Sequence, residues 1–357
     1  MAETLRRVVI GVDTHKHLHV AVALTLSGER LGSLTIPTDP GGYEELAVWA
    51  CSLGIPERFG VEGTGSYGQG LVSYLRRHDL AVLEAGRPDR RDRRQRGKTD
   101  TIDAENAART VLAGRAGPTP RRAEGTSEMI RQIKIARDIA VKARSQAIIT
   151  LKTLIVTAPD ELRGELQGLS KAALRERCAG LRPGRVSDEL AACKHALRSI
   201  ARRWQHLDAD IKTHDKLLDE MTVRVAPKLR DAFGIGPDIA AEMLILAGDR
   251  PTERLRSEAA FASLCGASPI PASSGMTQRH RLNYSGHRQA NSALYRTVIV
   301  RMRFHPATIA YVERRTAEGK TKREIIRCLK RYVAREIYHH LTGTGLQASP
   351  VTLTATP

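Results

Sequence analysis

Val8-Val-Ile-Gly-Val-Asp13-Thr-His-Lys-His-Leu18-His-Val-Ala-Val-Ala-Leu-Thr-Leu26-Ser-Gly28 is the stretch that decides the fold. The β-branched run Val8–Val12 ends on a carboxylate, Asp13. After Thr14–His17, the run Leu18–Leu26 alternates until the Ser27–Gly28 turn, which predicts two antiparallel strands. A third short strand around Leu34–Ile36 completes a meander. Outward from it the pattern predicts a helix over Gly42–Leu53, a strand over Phe59–Glu62, a helix over Gln69–Arg77 and a strand over Leu80–Glu84. Strands alternating with helices after a meander imply a mixed α/β sheet. A further helix runs from Asp100 to Leu112 and stops at Gly114, before the linker Gly117-Pro-Thr-Pro120.

Beyond the linker the pattern changes. From Ile130, the residues Ile133, Ala136, Ala140, Ala143, Ala147, Leu151 and Leu154 share one helical face. A second helix carries Leu190, Cys193, Leu197, Ile200, Trp204, Leu207, Ile211, His214, Leu218 and Met221 at alternating three- and four-residue steps. This is a heptad seam, so a long helix pairing with another as a coiled coil is expected, within the chain or between chains. Pro183–Gly184 separates the two helices. The expected domains are residues 1–125, an α/β domain; 126–222, the paired helices; 223–342, a mainly α domain; and 343–357, a small, polar, disordered tail.

Lys and Arg number 57 against 39 Asp and Glu, a formal charge of +18, which calls for a polyanionic partner. The basic residues are spread along the chain, so nucleic acid is favoured over a membrane surface. With aromatic residues at 4%, base-stacking platforms are disfavoured. Cys51, Cys178, Cys193, Cys265 and Cys328 form no CxxC pair and read as ordinary thiols of a reducing cytosol. Met1–Arg7 leads straight into the first strand, without the pattern of a signal peptide. No apolar stretch approaches the ~20 residues that cross a bilayer.

The chemistry gathers on four carboxylates. Asp13 and Glu62 end two strands, and in an RNase H-like sheet those strand ends lie side by side. Asp100 and Asp103 are three residues apart at a helix start and share one face. Brought together, four such charges suit two divalent cations set for phosphoryl transfer, and an all-oxygen site suits Mg²⁺, with Mn²⁺ as its substitute. Singly, each has a plainer reading: Asp100 and Asp103 as helix caps, Asp13 as a turn residue, Glu62 as a solvated strand end. The loop just before the helix carries Arg87, Arg90, Arg91, Arg93, Arg94, Arg96 and Lys98, a density that suits phosphate contacts. His15, His17 and His19 could form a metal triad, but surface or packing histidines are the commoner reading.

Three other motifs compete. Gly63-Thr-Gly-Ser-Tyr-Gly68 is a literal GxGxxG between strand and helix, with Glu84 closing the next strand, as in dinucleotide-binding proteins. A carboxylate beside the pyrophosphate, the preceding meander and the charge of +18 all weigh against it. Phe233-Gly-Ile-Gly-Pro-Asp238 resembles a helix-hairpin-helix turn that offers backbone N–H groups to a phosphate, with a plain helical corner as the equal alternative. Cys265-Gly-Ala-Ser-Pro-Ile-Pro-Ala-Ser273-Ser274-Gly275 precedes a stretch holding Arg279, Arg281 and Arg288. By residue type alone Ser-Ser-Gly is a turn, although a serine there could attack a phosphodiester with the arginines stabilising charge.

In this order the motifs resemble the DEDD insertion-sequence transposases, the IS-one-ten family or bridge recombinases. The likeness rests on Ile10-Gly-Val-Asp13-Thr-His-Lys16, Val61-Glu62-Gly-Thr-Gly, Lys98-Thr-Asp100-Thr-Ile-Asp103-Ala, Gly234-Ile-Gly236 and Phe261-Ala-Ser-Leu-Cys-Gly-Ala-Ser-Pro with the later Ser274-Gly275. It implies a RuvC-like (RNase H-like) N-terminal domain with an inserted coiled coil and a mainly α C-terminal transposase domain. The DEDD acids would be Asp13, Glu62, Asp100 and Asp103, and the nucleophile Ser274, with Ser273 its less favoured neighbour. The resemblance also implies donor and target DNA as substrates, a structured bridge RNA as guide and a dimeric or tetrameric homo-oligomer. Acidic site and serine would come from different subunits and act through a phosphoserine, in a cytoplasmic, nucleoid-associated protein. One departure is that the chain reads Leu282-Asn-Tyr-Ser-Gly-His287-Arg288 where relatives often carry a lysine, so His287 or Arg288 would stand in for it. The rival readings are a RuvC-like nuclease that needs no serine and a nucleic-acid-binding protein without catalysis.

Overall fold

The computed structural model describes residues 6–86, 99–121, 125–273, 275–276, 280–283 and 286–343. The chain divides into two compact units. One gathers Met1–Glu128, Leu246–Ser292 and Arg327–Pro357; the other gathers Met129–Ile245 and Ala293–Ile326.

The first unit is built on a five-stranded sheet of β1 (Arg7–Thr14), β2 (Leu18–Thr25), β3 (Arg30–Pro37), β4 (Ile55–Glu62) and β5 (Val82–Ala85), in the order β3-β2-β1-β4-β5. The meander β1–β3 is antiparallel, as the alternation predicts, while β4 and β5 run parallel to β1. Side chains alternate across the sheet, so each strand feeds two cores. Val8, Ile10 and Val12 point with Phe59 and Val61 toward α1 (Pro40–Leu53) and α2 (Gln69–Arg77), where Leu46, Leu71 and Leu75 are fully buried. Val9, Val20, Val22 and Leu24 face α3 (Asp100–Leu112) through Ala104, Ala108 and Val111. A sheet covered on both faces explains why these strands read as nearly continuous apolar runs.

The seat of α3 is made by two glycines. Gly11 of β1 and Gly60 of β4 are paired in register. A Cβ on Gly11 would lie 2.0 Å from the Ala104 carbonyl oxygen and 2.3 Å from the Ala108 nitrogen. A Cβ on Gly60 would lie 2.6 Å from Val111 Cγ2 and 2.8 Å from the Ala107 carbonyl oxygen. With alanines on the helix and glycines on the strands, the backbones meet directly.

The second unit is helical. The long helices α4 (Gly125–Val156) and α7 (Glu189–Val225) pair with each other inside the chain. Arg137 bonds Asp215 at 2.5 Å, and Arg144 bonds Asp208 at 2.5 Å. Seven residues forward on one helix match seven back on the other, so they run antiparallel. Between them the structure adds α5 (Asp160–Leu166) and α6 (Lys171–Ala179), two short helices that the periodicity did not predict. Their Leu162, Leu166, Leu174 and Cys178 close a core with Leu151, Ile155, Leu197 and Ala201. After α8 (Pro227–Asp231) comes α9 (Pro237–Ala247). In the first unit α10 (Pro251–Arg254), α11 (Glu258–Leu264) and the two-residue strands β6 (Ile270–Pro271) and β7 (His280–Arg281) follow. Helices α12 (Arg288–Phe304), α13 (Pro306–Ala317) and α14 (Lys322–Thr342) complete the chain.

A partly buried ion cluster joins the helices of the second unit. Asp238, at the start of α9, accepts from Lys134 at 2.7 Å, Arg137 at 3.1 Å and Arg296 at 2.5 Å. Burial works to raise the Asp238 carboxyl, but the hydrogen bonds and charges of Lys134 and Arg296 outweigh it and hold the group below the usual carboxylate range. Glu242, one turn along, is instead pushed up, chiefly by burial.

Two outcomes follow from this packing. Gly11→Ala forces a methyl into the α3 backbone and is expected to cost about 3 kcal/mol or more, read as a lowered thermal midpoint. Gly28→Ala, at a half-buried positive-φ turn where a Cβ meets only the Arg109 side chain at 3.4 Å, is the strain-only control. Asp238 has a depressed folded pKa, so its contribution is present above the ordinary carboxylate value and is lost as pH falls through the folded one. Asp238→Asn is therefore expected to lower stability at pH 7 and to flatten the loss of stability below about pH 4, measured by urea unfolding across pH.

Candidate metal centre and serine hairpin

Two of the acids are set by the ends of β1 and β4. Their parallel register ends at Val12↔Val61, so Asp13 and Glu62 are the next residues on neighbouring strands. Thr14 Oγ1 donates to the Glu62 carbonyl at 2.8 Å and ties the two ends together. The α3 helix brings the other pair. Its N-cap is Thr99, whose Oγ1 accepts from the Ile102 N–H, so Asp100 and Asp103 are not needed as side-chain caps. Asp103 is buried and Asp100 half exposed at the side chain.

Asp13, His15 and Asp100 converge, with one ligand atom of each lying within 4.8 Å of the others. His15 Nε2 is 3.1 Å from Asp13 Oδ2 and 3.3 Å from Asp100 Oδ1. Asp103 is close enough to act on Asp13 by charge: burial above all, then the Asp103 and Asp100 carboxylates, push the Asp13 carboxyl up against the opposing pull of His15. Glu62 stands half-buried at the adjoining strand end and is not part of that three-residue group. Carboxylates crowded into a partly buried site, with their charge in excess, fit a divalent cation that would relieve the repulsion.

The three histidines of the turn have separate fates. His15 joins the acids. His17 is exposed. His19 is fully buried, stacks on Tyr43 with ring centroids 6.0 Å apart, and is held below the ordinary histidine range chiefly by burial. The signal for His15 lay in its place, two residues past Asp13 in the β1–β2 turn, rather than in the alternation of histidines.

The glycine-rich loop after β4 is not a phosphate cradle. Its Ser66 and Gly68 N–H groups both donate to the Gly63 carbonyl, at 2.9 and 3.2 Å, and Gln69 N–H donates to Ser66. An antiparallel meander on one side of β1 also departs from a doubly wound sheet. The Gly234 turn is packed as a corner: Arg301 Nε donates to the Phe233 carbonyl at 2.8 Å and Arg230 to the Ile235 carbonyl at 2.6 Å. The helix it opens already carries Asp238.

The serine segment forms a small hairpin in which Ile270 pairs with Arg281 and Pro271 with His280. Ser273 is exposed beside its tip; Ser274 and Arg279 lie outside the described residues, as do Arg87, Arg90, Arg91, Arg93, Arg94, Arg96, Lys98 and residues 344–357. Arg281 and Arg288 are both exposed. The hairpin is cinched at its neck. A Cβ on Gly286 would fall 2.2 Å from the Gly266 nitrogen, His287 N–H donates to the Leu264 carbonyl at 2.7 Å, and Asn291 Nδ2 donates to Cys265 and Gly266 carbonyls at 2.9 Å each. A lysine does reach this neck, from α14: Lys330 Nζ donates to Asn291 Oδ1 at 2.9 Å. His287 keeps an exposed face, yet desolvation by the surrounding protein first, and then Arg254, hold it below the ordinary histidine range.

Residues 10–158 match the family model for DEDD transposases, described as Transposase, and residues 226–313 match the model described as Transposase IS116/IS110/IS902 family. Two models of one family thus meet this chain in order, over about two thirds of its length. The chain belongs to the IS110 family of transposases. It is therefore an enzyme acting on DNA, in a family whose acidic centre implies divalent metal. No curated protein matches the chain. For this transposase, the first matched region ends inside α4 and holds Asp13, Glu62, Asp100 and Asp103, while the second holds Ser274. Among the described residues no helix is long and apolar enough to cross a membrane.

Proposed function

We propose that this transposase cleaves and rejoins donor and target DNA with a RuvC-like acidic centre and a serine nucleophile, Ser274. The observation that carries the reading is the convergence of Asp13 and Asp100 to within 4.8 Å, with Asp103 buried beside them, where distant segments of one chain meet. The strand order β3-β2-β1-β4-β5, antiparallel then parallel, supports an RNase H-like fold for the domain.

Asp13, Asp100 and Asp103, with Glu62 as the fourth acid, would hold Mg²⁺. When bound, the cation draws charge from the phosphodiester and stabilises the oxygen that departs. The chain's own residues do the rest. Thr14 and the seat of α3 fix the acids before DNA arrives, which keeps reorganisation out of the reaction. The Ser274 hydroxyl attacks phosphorus; a bond from phosphorus to the serine oxygen forms as the bond to one deoxyribose oxygen breaks, and that oxygen takes a proton. Attack by a hydroxyl of the second strand reverses the step and frees the serine. Arg281 and Arg288, with Arg279 and the basic run Arg87–Lys98, supply phosphate contacts that position a strand without reading its bases. The formal charge of +18 supports nucleic acid as the partner, and the structured guide RNA rests on the family resemblance. The family resemblance supports a homo-oligomer that joins acidic centre and serine across subunits.

Strand cleavage and strand joining, measured separately on paired donor and target duplexes, test the reading. Asp13→Asn and Asp103→Asn are expected to lower both by about a hundredfold or more, and Ser274→Ala to abolish joining and the covalent protein–DNA adduct. Continued cutting by Ser274→Ala would instead make this a RuvC-like nuclease. Unchanged recombination by Asp13→Asn would leave a nucleic-acid-binding protein whose acids are structural.

A further inference from the structure

We infer that His15 is a nitrogen ligand of the acidic centre, so that the centre prefers a first-row transition cation such as Mn²⁺ to Mg²⁺. The inference rests on the divalent-cation reading above and goes beyond it, since the acids alone describe an all-oxygen site.

Three observations carry it. The first is spacing. Two donors at right angles on one ion lie about 1.4 times the bond length apart, about 3.0 Å for bonds of ~2.1 Å. His15 Nε2 stands 3.1 Å from Asp13 Oδ2 and 3.3 Å from Asp100 Oδ1, ion-pair contacts that leave the three atoms close enough to share one small ion. The second is that the backbone around the ring is held. His15 N–H donates to the Leu18 carbonyl at 3.1 Å across the β1–β2 turn, and Thr14 on its other side is bonded to Glu62 at 2.8 Å. The ring therefore stands at the acids because of the turn. The third is the contrast with its neighbours: His17 faces solvent and His19 stacks in the core, so only this one of the three is placed to bind an ion. An imidazole lone pair adds little for Mg²⁺, which takes oxygen, and more for the transition series.

The test reads the metal, not the reaction. Full-length protein is titrated with Mn²⁺ and with Mg²⁺, and the Mn²⁺ complex is examined by pulsed electron paramagnetic resonance for coupling to a ¹⁴N nucleus. Wild-type protein is expected to bind Mn²⁺ tighter than Mg²⁺ and to show that coupling. His15→Ala is expected to lose the coupling and about tenfold or more in Mn²⁺ affinity, with a smaller loss for Mg²⁺, while circular dichroism and thermal midpoint show the fold retained. His17→Ala, on the exposed side of the turn, is expected to change neither. Mn²⁺ bound without ¹⁴N coupling, or coupling that survives in His15→Ala, would overturn the assignment of His15 and leave the acidic centre standing. Failure of wild-type protein to bind either ion, with Asp13→Asn behaving alike, would overturn the centre itself.

Discussion

The direct contact between α3 and the sheet is the constraint on which the first unit depends. Helices normally pack on sheets through a layer of side chains. Here Gly11 and Gly60, side by side on β1 and β4, open a gap in that layer, and Ala104, Ala107 and Ala108 keep the helix side thin where it enters. A helix so close to the strands has little freedom to slide or tilt, because any displacement drives backbone into backbone. The start of that helix carries Asp100 and Asp103, and the end of the strand beneath carries Asp13. Closeness of packing is thereby converted into closeness of charge, which the free chain would avoid. The repulsion shows in Asp13, whose carboxyl is pushed up by burial and by its two neighbours.

The second unit meets the opposite problem, cations and acids taken together into a helical interior. Asp238 is shared among Lys134, Arg137 and Arg296, and removing it would leave the mostly buried Lys134 with weaker partners, Asp138 at 3.1 Å and Glu242 at 3.7 Å. Such clusters contribute less net stability than their number suggests, because each charge has first lost its water. Their geometry is demanding, however, and a single register of α4 against α9 and α12 satisfies it.

Much of this was legible in the residues, and the reasons differ by element. The α3 helix was readable at its far end because Gly114 follows it, whereas at its start the cap is Thr99 and not Asp100 or Asp103, which the residue types offered for that role. The meander was readable because β-branched runs and the Ser27–Gly28 turn are local. The short helices α5 and α6 were missed: each is seven to nine residues long and carries only two fully buried side chains, too few to set a period. The partner of the α7 seam was open because a heptad looks the same whether its complement lies in the same chain or another; Arg137–Asp215 and Arg144–Asp208 resolve it only in three dimensions. The nearness of Asp13, Asp100 and Asp103 follows from their places at strand and helix ends, which the residues display. His15 was weighed only together with His17 and His19 as a metal triad, and its nearness to Asp13 and Asp100 emerges only when the turn is folded. Lys330, distant in sequence, could not have been connected with the serine neck by any local pattern.

That neck gives the hairpin an independence of its own. With Gly266 and Gly286 in backbone contact and Asn291 holding the Cys265 and Gly266 carbonyls, the chain leaves and returns beside β6 and β7 at one fastened point. Lengthening a loop whose ends are already fixed costs little, about 0.6 kcal/mol for each doubling. The arm that springs from this neck can thus change in length while the body that anchors it keeps its packing. The length of this arm is, on this architecture, a property open to change without refolding the body.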